Sequence, residues 1–63
     1  MSNHNQITEL FVMQKFSQLL NRIPFSKITV RAIVRASAIH RNTFYHHFKD
    51  KYDLLNHFLY HYL

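Results

Sequence analysis

Not one of the 63 residues is glycine and only Pro24 is proline, so every turn must be closed by a residue that carries a Cβ. No glycine-rich phosphate loop can be built, and the ends of segments have to be read from side-chain periodicity and helix caps. The periodicity is helical throughout. Val12, Met13, Phe16, Leu19, Leu20 and Ile23 recur at three- and four-residue spacing, which predicts a helix over about residues 6 to 22, ending where Pro24 forbids continuation. Ile7, Leu10 and Phe11 fall on nearly the opposite side of that wheel and are expected to need another partner. After a loop over 25–28, Thr29 can cap a helix over 29–36 whose apolar side is Val30, Ile33, Val34 and Ser37. A short break leads to a third helix over 40–47, with Phe44 and Phe48 facing inward together with Ile39. Asp50, followed three residues later by Asp53, reads as an N-cap with an acidic first turn for a fourth helix over 51–62 carrying Leu54, Leu55, Phe58, Leu59 and Tyr62. The expected fold class is all-α: a three-helix bundle in which the second and third helices form a helix-turn-helix, plus the start of a fourth helix.

Composition narrows what such a bundle can be. Apolar residues make up 48% of the chain and aromatics 16%, enough to offset the entropy of ordering, so disorder is excluded. A chain this short buries only about 60% of its unfolded surface, which excludes a large enzyme. There is no cysteine, hence no disulfide framework and no cysteine-based zinc site. His57 and His61 stand four residues apart, yet two imidazoles are an incomplete ligand set, so neither metal nor cofactor is expected. Nor is an enzyme expected, because no nucleophile, base and acid form a set and Asp50 and Asp53 are better explained as caps. Met1 to Gln6 is polar and uncharged, unlike a signal peptide, and no apolar run approaches the length of a membrane span. A cytoplasmic protein without a membrane partner is the expectation.

Charge points to the partner. Lys15, Arg22, Lys27, Arg31, Arg35, Arg41 and Lys49 follow one another with no acidic residue between Leu10 and Lys49, in a chain whose formal charge is +5. Such a stretch has few internal ion-pair partners, which leaves its potential to a polyanion or simply to solvent. Spacing favours the polyanion. Two short helices joined by a tight turn, the second apolar inside and bearing Arg and Asn outside, describe a helix-turn-helix that reads double-stranded DNA. Arg41 can pair with both acceptors of guanine and Asn42 with adenine, whereas Thr43, Tyr45, His46 and His47 can donate to phosphates. Thr29 and the free amides beside it form a second phosphate cradle, Arg31 adds charge on that helix, and Lys51 in the first turn of the last helix would be relieved by an external phosphate.

The run Ile28 to Leu55, ITVRAIVRASAIHRNTFYHHFKDKYDLL, resembles the DNA-binding segment of the TetR family of bacterial transcriptional repressors, most specifically in Thr43-Phe44-Tyr45-His46-His47-Phe48 followed by Lys49-Asp50-Lys51. The resemblance implies a bacterial regulator, associated with the nucleoid when bound. It places Thr29, Arg41, Asn42, Thr43, Tyr45, His46, His47 and Lys51 at the DNA, Tyr45 and Lys51 on phosphates and Arg41, Asn42 and His46 nearer the bases. Two departures stand out. Ala38 occupies a turn position where many members have glycine, at a cost of about 1 kcal/mol if its φ is positive. His40, a poor N-cap, replaces the usual hydroxyl or amide. The family's C-terminal ligand-binding and dimerisation domain is expected to be absent, making this a truncated or short form with no small-molecule inducer site. A homodimer on a palindromic operator is expected; the alternative is a helical interaction module that pairs with a full-length regulator through Ile7–Phe11 and Phe58–Leu63 without touching DNA.

Overall fold

The computed structural model describes residues 4–63, so the first three residues of the polar Met1 to Gln6 segment lie outside the described residues. Four helices follow in order: α1 (His4–Leu20), α2 (Val30–Ser37), α3 (Arg41–His47) and α4 (Lys51–Tyr62), with a 3₁₀ turn at Phe25–Lys27 between the first two. Among the described residues there is no strand. The core is assembled from every segment: Val12, Met13 and Phe16 of α1, Ile28 before α2, Ile33 of α2, Phe44 of α3, Phe48 just after α3, and Leu54 of α4. None is more than 4% exposed.

Helix α1 stops two residues before the periodicity predicts. Arg22 N–H and Ile23 N–H both donate to Leu19 O, at 2.9 and 2.8 Å, so the last turn tightens and residues 21–22 leave the helix. Ile23, next to Pro24, is sterically pushed out of the helical region, which makes the earlier exit the stable one. The segment expected as a loop over 25–28 is more ordered than that. Lys27 N–H bonds Pro24 O, Ile28 N–H bonds Phe25 O, and the turn drives Ile28 to complete burial. Phe25 meets the edges of Phe16 and Tyr52 at ring distances of 6.1 and 5.3 Å, tying the turn to α1 and α4. Of the three residues expected to lie off the core stripe, Ile7 and Phe11 are exposed, but Leu10 packs against the core, because α1 is covered over more of its circumference than one stripe.

The glycine-free turn is solved at Ala38, which takes φ 56° and ψ 37°. Its N–H bonds Arg35 O and the N–H of Ile39 bonds Val34 O, the pair of reversed bonds that satisfies a helix C-terminus, while Ile39 and Val34 both pack on the core. A left-handed alanine strains its Cβ against the backbone, so Ala38→Gly is expected to raise stability by about 0.5–1 kcal/mol after the entropy gained by the unfolded chain. Thermal unfolding followed by circular dichroism should show a melting point several degrees higher; an unchanged or lower one would contradict a strained turn.

Candidate nucleic-acid interface

Of the residues singled out for DNA, Thr29 caps α2, Arg31 lies on α2, Arg41 to His47 lie on α3 and Lys51 opens α4. Thr29 Oγ1 accepts from Ala32 N–H at 3.1 Å and Thr29 O accepts from Ile33 N–H, which leaves the amides of Val30 and Arg31 at the start of α2 without an intrahelical acceptor. Ile33 and Ser37 are buried on the inner side of α2, whereas Arg31 and Arg35, one turn apart, are exposed. The start of α3 corrects an expectation. His40 is a working cap: its Nδ1 accepts from Asn42 N–H at 3.2 Å. An imidazole can take this role because a neutral ring keeps a lone pair on the nitrogen that lacks hydrogen, within reach of its own backbone.

Burial of Phe44 and Phe48, at 0 and 1% exposure, fixes which side of α3 is left over. That side is a stripe of Arg41, Asn42, Tyr45 and His46, all exposed, with Thr43 half-buried at its margin. The Arg41 guanidinium stands 5.9 Å from the centroid of the Tyr45 ring, so these two side chains of the stripe share a cation–π contact. A fork of donors, an amide and a phenol on one convex ridge two turns long are the groups that base edges and phosphates accept from.

Two of the expected contact residues are placed elsewhere. His47 turns inward: its side chain is 7% exposed and its Nδ1 lies 3.1 Å from Glu9 Oε2 of α1. The sequence put His46 and His47 together as adjacent phosphate donors, but consecutive helical residues point 100° apart, and only His46 falls on the exposed side. Lys51 also turns inward. Its ammonium donates to Phe25 O at 2.9 Å and Ile28 O at 2.8 Å, touches Ser26 O at 3.5 Å, and sits 4.5 Å over the Phe25 ring. A cation at a helix N-terminus is relieved here by carbonyls of the preceding turn rather than by an external anion. Lys51→Met is therefore expected to destabilise the fold by about 1–3 kcal/mol, by orphaning half-buried carbonyls, and to leave the salt dependence of DNA binding unchanged. A salt slope reduced by about 1 would show instead that Lys51 holds a phosphate.

Helix α4 opens on a reciprocal cap, with Asp50 Oδ1 accepting from Asp53 N–H and Asp53 Oδ2 accepting from Lys49 N–H. This is the structural role expected of both aspartates. His57 Nε2 lies 3.7 Å from Oδ1 of Asp53, one turn earlier on α4, and among the described residues no three His, Asp or Glu side chains are grouped to hold a metal. No described helix is long and apolar enough to cross a membrane. What sequence reasoning missed are the roles of Glu9 and His40; the signal for the first was visible, since Glu9 is the single acid among the first 49 residues.

Comparison with known proteins bears directly on these four helices. The family model of bacterial regulatory proteins of the tetR type matches residues 17–58, two thirds of the chain, from the last turn of α1 through most of α4. No curated protein and no solved structure matches. The matched span contains the capped α2, the Ala38 turn and the exposed stripe of α3, and it is a DNA-binding regulatory domain, not a member of an enzyme family. On this match, the chain belongs to the TetR family of bacterial transcriptional regulators.

Proposed function

We propose that this chain acts as a repressor-like regulator in the bacterial cytoplasm, laying α3 in the major groove of a palindromic operator as one half of a dimer. The observation that carries the reading is the outward stripe Arg41, Asn42, Tyr45 and His46, set against Phe44 and Phe48 in the core. In the proposed docking Arg41, Asn42 and His46 approach the bases. Tyr45, Thr43, Arg31 and the amides at the start of α2 beside Thr29 hold phosphates. Lys51 and His47 serve the scaffold rather than the duplex, in keeping with their inward partners.

Selection of bound duplexes from a random pool tests this. The reading expects two related half-sites with centres about 10–10.5 base pairs apart, or a multiple of that spacing, as a symmetric pair of recognition helices requires. Enrichment of no sequence would overturn the operator reading. A second reading has its own observation: Ile7, Phe11, Leu59, Tyr60, Tyr62 and Leu63 are 40–97% exposed, a surface a helical protein partner could cover. Under that reading, removing residues 57–63 abolishes association with the partner while Arg41→Ala leaves it intact.

A further inference from the structure

Glu9 is the one carboxylate before Asp50, and the fold spends it on α3. Its Oε2 lies 3.1 Å from Nδ1 of His47, the last residue of α3 and 38 positions away in sequence. His47 is nearly enclosed, while the Glu9 side chain keeps 29% of its exposure. A helix of seven residues has no orientation of its own; it is held by what it buries and by what its flanks bond. Phe44 and Phe48 supply the burial, but two rings on one line leave roll about that line poorly defined. His47 lies on the flank of that line, about 160° around the helix from Tyr45, where a bond to α1 resists roll most effectively.

We infer that Glu9 is a positioning residue for DNA recognition: by holding His47 it sets the roll of α3 and hence the direction of Arg41, Asn42, Tyr45 and His46. The inference rests on the reading of α3 as the helix that enters the groove. At the outer radius of a helix, about 5 Å, where side chains end, a roll of 15° moves a group by roughly 1.3 Å. Bidentate recognition tolerates only about 0.5 Å and 10–20°. Phosphate contacts through long side chains tolerate far more, so the effect falls on sequence discrimination. The His46 ring meets the His47 ring edge to face at 5.4 Å, which passes any displacement of His47 directly to a groove-facing neighbour.

The sign of the effect separates positioning from charge. Removing an acid from a basic domain tightens its binding to any polyanion if only the field matters. The test uses the full chain, a duplex selected from a random pool by the wild-type protein, and a random-sequence duplex of equal length. Glu9→Ala is expected to weaken binding to the selected duplex about tenfold, while affinity for the random duplex stays level or rises. The exchange Glu9→His with His47→Glu, which re-forms the pair in reverse, is expected to restore the preference to within threefold. Should Glu9→Ala lose helicity by circular dichroism, Glu9→Met gives the same readout, since it keeps the side-chain length and removes the carboxylate that holds His47. Equal tightening on both duplexes, or an unchanged ratio, would overturn the positioning role. Wild-type protein with no preference for any duplex would overturn the underlying reading, and that is measured before any variant is made.

Discussion

Arg41→Ala is expected to cost about 1–3 kcal/mol of binding to the selected operator, roughly 5- to 150-fold in Kd, and to relax the preference at one base pair of each half-site. The loss should be far smaller on a random duplex, where the guanidinium contributes one cation among several. The physical reason is geometric. Arg41 is exposed in the first turn of α3, and its fork presents two parallel donors that match the two acceptors of guanine in the major groove. Arg41→Lys keeps the charge but loses the fork, so it should recover the random-duplex affinity and not the preference. Because the guanidinium stands over the Tyr45 ring, a change at Tyr45 will not add independently; the double variant is expected to lose less than the sum of the two single losses. Equal losses on selected and random duplexes would show that Arg41 holds phosphate rather than a base.

Phe44→Ala, three residues further on, is expected to act on the fold and not on the interface. Phe44 is fully buried and its ring packs against Phe48 at 5.4 Å. Truncating a buried phenylalanine costs about 3–5 kcal/mol through lost transfer energy and the cavity left behind. A domain this small holds only about 3–9 kcal/mol in total, at typical stability per residue. The variant should therefore lose most of its helical circular dichroism near 37 °C. Tyr45→Ala, its neighbour on the exposed side, should melt within a few degrees of the wild type. A Phe44→Ala chain that melts like the wild type would mean the core does not pass through α3.

The contrast between these neighbours shows where the sequence was readable. Helical period alone separated Phe44 and Phe48 from Arg41, Asn42, Tyr45 and His46, because alternation of apolar and polar groups over two turns has one stable orientation against a core. Thr29 and Asp50 were legible as caps for a local reason, since a short polar side chain reaches its own amides whatever surrounds it. His40 was not, because imidazole caps rarely and nothing in the sequence announces its ring rotamer. Ile28 was read as loop because one apolar residue between Lys27 and the Thr29 cap has no period; the 3₁₀ turn after Pro24 buries it. The inward partners of His47 and Lys51 were not legible, for a tertiary reason. Their partners, Glu9 and the carbonyls of Phe25 and Ile28, are 38, 26 and 23 residues distant, beyond the reach of any local pattern. The strained turn at Ala38 was anticipated by the want of glycine and is present as a positive φ.

Fluorescence anisotropy of a labelled duplex at 50 and 200 mM salt tests the proposed engagement of duplex DNA by the exposed side of α2 and α3. Counterion release sets the expectation: about three phosphates neutralised give a slope near −2.7, so a fourfold rise in salt should weaken binding roughly 40-fold. The Arg41→Ala, Tyr45→Ala double variant, measured beside the wild type, should bind more weakly at both concentrations while remaining helical. A folded, helical wild-type chain that binds no duplex, or binds with an affinity indifferent to salt and to these two side chains, would contradict the account.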